Sequence, residues 1–145
     1  MYGLALASTV ALLVATAYFL MGSVPLLVLK HDTPLDARFV RAFFNVYFLA
    51  AKVTASTTAV CFALSGRLPI AAGAAVLVGV ATFQRSHFLP KMEAVEALLQ
   101  TGGLNAVPGF RRLHMQAILT TAIQLVLIVG CLVYLGKSGL SAAAT

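Results

Sequence analysis

Between Gly3 and Leu29 the chain runs through 27 residues without one charged side chain. About 20 apolar residues, at ~1.5 Å each along a helix, cross the hydrocarbon core of a bilayer. A signal peptide would carry a basic start and a shorter apolar region, roughly 7–15 residues long. This run has neither feature, so the sequence predicts a retained transmembrane helix. Three more such runs follow, at Phe43–Leu64, Pro69–Phe88 and Leu113–Leu135. With 61% hydrophobic and 10% charged residues, the composition lies well outside that of soluble domains, at about 45–50% and about 25%. The expectation is all-α: an integral membrane four-helix bundle, one transmembrane domain over residues 1–145. Pro69 suits the first turn of its helix, where its missing N–H costs nothing. Pro25 should bend the first helix or end it early.

A net charge of +6 would suggest nucleic acid in a soluble chain. Here its distribution matters more. Lys30, Arg38 and Arg41 fall between the first two runs, and Arg85, Lys91, Arg111 and Arg112 around the connection of the last two, against only Arg67 and Lys137 on the opposite side. Seven against two is a positive-inside pattern, which predicts cytoplasmic basic loops and both termini on the other face. The partners implied are the lipid bilayer and other membrane subunits, with no nucleic acid.

In the last connection, KMEAVEALLQ sets Met92, Val95 and Leu99 on one side and Glu93, Glu96 and Gln100 elsewhere. That pattern predicts a short amphipathic interfacial helix, stopped by Thr101-Gly102-Gly103, with a Pro108–Gly109 turn leading into the fourth span. Small residues at four-spacing, Ala7, Ala11 and Ala15 in the first span and Ala71, Ala75 and Gly79 in the third, predict close helix contacts. Phe43, Phe44, Tyr47 and Phe48, beside Arg38 and Arg41, are expected to form an aromatic girdle at headgroup level.

Chemistry is expected where polar groups interrupt the apolar runs. Lys52 lies mid-span, where a lysine costs about 2.5–3.5 kcal/mol on insertion scales and should face a bundle or a cavity. Asn45 and Ser56 share its helix face. All four acids, Asp32, Asp36, Glu93 and Glu96, lie in the basic loops, so none is at its depth. A neutral lysine, solvation by neutral oxygens, and an anion from outside the chain all remain open, as does snorkelling to an interface. His114, Thr121 and Gln124 share one face of the last span, Gln124 about 15 Å deeper than His114. They could line a polar seam between the second and fourth helices, making Lys52, Thr121 and Gln124 candidates for holding an anionic cofactor. His31, His87 and His114 all map to the basic ends of helices and could supply ligands to haem, iron or copper. Helix-end or headgroup contacts would account for them equally. Cys61 and Cys131, both in apolar runs, read as buried free thiols. Nucleophile-elbow, phosphate-loop, dinucleotide and zinc-protease motifs are absent, which leaves an enzymatic role open.

Phe110-x-x-Leu113-His114 at the start of the last span and Phe44-x-x-Tyr47-Phe48 at the start of the second resemble a family of small four-helix membrane proteins of unknown biochemical function. It is the family of the cisplatin-resistance-associated transmembrane protein, distantly similar to copper-resistance-D membrane domains. Where its members carry Ser and Asn along the last helix, this chain has Ala117, Ile118 and Thr121. A weaker similarity is to anthrone-oxygenase-like membrane proteins. Two functions follow: an accessory or structural subunit of a larger membrane assembly, or a redox or metal-binding membrane protein with histidine ligands. The charge pattern makes the topology testable. Single cysteines placed at Thr33 and at Ser138 should be labelled from opposite sides of the membrane; labelling of both from one side would refute it.

Overall fold

The computed structural model describes residues 2–28, 33–102, 105 and 107–143, with side chains described for 3–28, 33–102, 105 and 107–134 of these. His31 and Asp32 lie outside them. The described chain forms four helices, α1 (Tyr2–Leu26), α2 (Pro34–Leu64), α3 (Leu68–Gln100) and α4 (Val107–Ala143). All four are long and apolar enough to cross a membrane. α1 packs against α2 and α4, and α3 packs against the same two, so the helices form a ring of neighbours.

Helix ends follow local chemistry. α1 stops one residue after Pro25, and its last turn tightens through Leu27 N–H to Val24 O (3.1 Å) and Val28 N–H to Pro25 O (3.0 Å). It therefore ends three residues before the apolar run does. α2 begins nine residues before the apolar run at Phe43, because Thr33-Pro34-Leu35-Asp36 is a complete start signal. The Thr33 hydroxyl accepts the Asp36 N–H (3.2 Å), Pro34 occupies the first turn, and Asp36 lies by the positive helix end. α2 ends where Gly66 adopts a left-handed φ of 73° and the Arg67 N–H reaches back to Phe62 O (3.0 Å). This glycine-centred closure needs a residue without a Cβ. It turns α2 directly into α3.

KMEAVEALLQ is helical, but it forms the last turns of α3 rather than a separate helix. The reason is a stripe that crosses Pro90 without changing face: Gln84, Phe88, Met92, Glu96 and Leu99 are all buried. Glu96 therefore points inward, its carboxylate 2.8 Å from Arg41 Nε, with Glu93 3.8 Å from the same guanidinium. Nor is Pro108–Gly109 a separate turn; both residues belong to the first turn of α4.

Two expectations about faces are reversed. Phe44, Tyr47 and Phe48 are sealed in the core and Phe43 is partly buried against it, so they are not an interfacial girdle. Phe19 of α1 lies against three of these rings, stacked on Tyr47 (centroids 3.9 Å) and Phe43 (4.9 Å) and edge-on to Phe44 (4.8 Å). The positions 44, 47, 48, 51 and 55 make one helical stripe of large rings followed by alanines, and it is this stripe that faces inward. Conversely, of the four-spaced small residues, Ala7 and Ala11 of α1 and Ala75 and Gly79 of α3 are exposed, Ala15 is half-buried, and only Ala71 is buried, against Ala5, Cys61 and Phe62. Close packing otherwise uses Ala51, Ala55, Ala74, Ala81 and Ala117. The outer surface is apolar, with Tyr18, Met21, Val28 and Leu35 each at least 74% exposed.

The Arg41–Glu96 pair ties the far ends of the α2–α3 hairpin. Glu96→Ala should lower stability by about 1–3 kcal/mol, because a half-buried guanidinium keeps only the more distant Glu93. Adding Arg41→Met should recover most of that loss. Thermal unfolding in detergent measures both; a Glu96→Ala variant as stable as the parent would show the pair to be fully screened.

Candidate functional site

The apolar core holds several polar side chains. Thr9, Thr16, Ser23, Gln84, His114, Thr121 and Gln124 are buried. The hydroxyls among them have a local solution. Thr9 donates to Ala5 O (2.7 Å), Thr16 to Leu12 O (2.7 Å), Thr121 to Ala117 O (2.9 Å) and Ser23 to Leu20 O (3.0 Å). Each carbonyl is one turn back on the same helix.

Tyr47 then ties α2 to α1. Its hydroxyl donates to Thr16 Oγ1 (3.4 Å). The Thr16 proton is already committed to Leu12 O, so this threonine can only accept. Although α2 and α4 lie across the ring, they meet at its centre through Phe44, which lies edge-on to His114 (5.3 Å).

Gln84 and Gln124 have no such solution. Both are fully buried, and neither the amide nitrogen nor the carbonyl oxygen of either makes a hydrogen bond among the described residues. Gln124 was legible as a polar intrusion in its span; Gln84 was not, because it falls beside Arg85 and reads as the end of one.

No hydrogen bond joins Lys52 to Thr121 or Gln124 among the described residues. Lys52 is half-buried and makes no hydrogen bond or ion pair among the described residues. It lies on the edge of α2 that faces α3. Seven and eleven residues earlier on that edge, Asn45 Oδ1 accepts from Arg85 Nε (3.3 Å) and Arg41 bonds Glu96. A groove of about 300 Å³ runs between the two helices there, lined by Arg38, Arg41, Ala42, Asn45, Leu89 and Glu93. Sequence reasoning missed this cluster. Its signal was present in the antiparallel register of a hairpin closed at Gly66, which sets Arg41 and Asn45 opposite the end of α3.

The two described histidines occupy different surroundings. His114 is fully buried in the core. His87 is half-buried, stacked on Phe83 (5.2 Å), with Nε2 2.8 Å from Lys91 Nζ. Its neighbour Phe88 is the α3 residue that turns inward. Iron or copper needs several ligands in one place, and no group of three His, Cys, Asp or Glu side chains converges among the described residues. Cys61 is buried and Cys131 half-buried, both as free thiols.

No protein-family model, curated protein or solved structure matches this chain.

A carboxamide buried without partners loses its hydration for nothing, at a cost of about 1–3 kcal/mol per unsatisfied group in mutational data. Gln124→Met keeps the length and removes the polar atoms, and should raise the unfolding temperature in detergent. A fall instead would show that the amide is satisfied, by water held inside the bundle.

Proposed function

We propose that this chain is a multi-pass membrane protein that serves as an accessory or structural subunit of a larger membrane assembly. Its basic loops lie on the cytoplasmic side and its termini on the other. The apolar exterior of the spans, with Thr, Gln and His side chains buried inside, supports the bilayer placement, since a soluble bundle would put polar groups on that exterior. α3, with 33 residues, is longer than the ~30 Å hydrocarbon core requires. Its last turns, with Glu93 and Glu96, would accordingly stand in the headgroup layer.

The subunit reading is carried by one observation: the four-spaced small residues of α1 face outward. Gly3, Ala7 and Ala11 are exposed, and the chain's own packing uses a different set of alanines. A flat strip of this kind permits a second helix to approach backbone to backbone, where van der Waals contact is the main attraction available in lipid.

Ala11→Leu should remove that approach while leaving the bundle folded. The expected result is a shift from a larger complex to the free subunit on native gels after extraction in mild detergent, with unchanged helicity and thermal stability. A chain that migrates alone before the substitution, or a complex that survives it, would overturn the reading.

A further inference from the structure

The α2–α3 groove holds more hydrogen-bond donors than the protein satisfies. Arg41 is matched, by Glu96 at 2.8 Å and Glu93 at 3.8 Å. Arg38, on the groove wall, is exposed and makes no hydrogen bond or ion pair among the described residues. Arg85, beside the groove rather than on its wall, gives its Nε to Asn45 Oδ1 at 3.3 Å, and that bond uses the acceptor side of the Asn45 amide. The terminal nitrogens of Arg85 and the amide nitrogen of Asn45 meet no acceptor among the described residues. Counting whole charges, the three arginines outweigh the two glutamates by one. The uncompensated part is on Arg38 and Arg85.

Such a set is complementary to a tetrahedral anion with several acceptor oxygens. A guanidinium presents a rigid fork of donors that a phosphate can meet in bidentate fashion. The groove's remaining wall is apolar, formed by Ala42 and Leu89. It opens where α2 leaves the basic connection, at the level where headgroups stand if the four helices cross a bilayer.

We infer that the α2–α3 groove binds the phosphodiester of an anionic phospholipid, held by Arg38, Arg85 and Asn45. The inference rests on the membrane placement proposed above and is independent of the α1 strip.

Lys52 then acquires a role. It lies on the same edge of α2, seven residues beyond Asn45, about 10 Å deeper. Helical side chains lean towards the N-terminus of their own helix, and the N-terminus of α2 is at the basic end. The ammonium group is therefore carried up the groove towards the phosphate. No carboxylate among the described residues is available to it at its own depth. A lipid anion drawn to the groove mouth supplies the opposite charge that the chain lacks. A zwitterionic lipid offers the same phosphate but adds a cation, which Arg38 and Arg85 repel; this is the basis for selectivity.

The test uses the full chain in nanodiscs of phosphatidylcholine containing increasing phosphatidylglycerol. Retained lipid is counted by native mass spectrometry after release into detergent. The parent should retain phosphatidylglycerol over phosphatidylcholine. Arg38→Gln with Arg85→Gln should reduce that preference by roughly fivefold for each guanidinium removed, and Lys52→Met should reduce it further. Arg111→Gln with Arg112→Gln removes the same charge from α4 at the same end and should leave the preference nearly unchanged. An equal loss in that control would mean diffuse attraction to a basic end and would overturn the groove as a site. Competition by millimolar inorganic phosphate as effective as that by the lipid would reassign it to a free anion. Failure of the chain to enter the discs would overturn the membrane placement and the lipid site together, whereas entry without lipid preference would overturn the site alone.

Discussion

A hydroxyl group inside an apolar medium has a partner one turn back along its own helix; a carboxamide or an ammonium group has none. That difference organises this bundle. Thr9, Thr16, Ser23 and Thr121 return their protons to carbonyls three or four residues earlier, and so can be buried at little cost. They then offer lone pairs to a group that arrives from another helix, which is how Tyr47 of α2 is held to Thr16 of α1. Gln84, Gln124 and Lys52 are the groups this device does not serve. Their environments are accordingly where the structure departs from a passive bundle.

The α2–α3 hairpin is fastened by polar groups at both ends. At one end the left-handed Gly66 closes α2 through its last carbonyls. At the other, Arg41 bonds a buried Glu96, and Arg85 bonds Asn45 between them. α1 is tied to it by Phe19 lying among the rings of α2, and by two hydroxyl contacts, Tyr47–Thr16 (3.4 Å) and Thr58–Ser8 (3.0 Å). Gly22 lets α1 approach: a Cβ there would stand 2.9 Å from the tip of the Phe43 ring.

The existence of the four helices was legible in the sequence, because run length and charge exclusion alone decide it. Which way each helix turns about its axis was not. Rotation is read from the contrast between an apolar and a polar face, and a helix such as α1, with no charged residue and apolar almost all round, supplies no contrast. The small-residue strip of α1 predicts a close contact without saying on which side, and Ala7 and Ala11 lie outward, while the aromatic group of α2, expected at the interface, lies in the core. The position of Glu96 was lost for a related reason. Treating KMEAVEALLQ as a separate amphipathic helix set its carboxylates outward, whereas continuation of α3 across Pro90 keeps position 96 in register with Phe88 and Met92. The start of α2 was different. Thr33-Pro34-Leu35-Asp36 states it locally, and hydropathy, blind to capping, hides it.

Lys52 shows how the two levels combine. Hydropathy places it at mid-span but says nothing about which neighbour it meets. Its spacing from Asn45 and Arg41 assigns it to one edge of α2, and the bonds of those residues to Arg85 and Glu96 identify that edge as the one against α3. Helix direction then fixes the sense in which its side chain leans. The polar core at Tyr47 and the lateral groove are separate features, on the inner face and on the flank of one helix. α2 is thus the element on which both depend: one face supplies the rings and the hydroxyl that fill the bundle, and its flank gathers the positive charge that the bundle leaves unmatched.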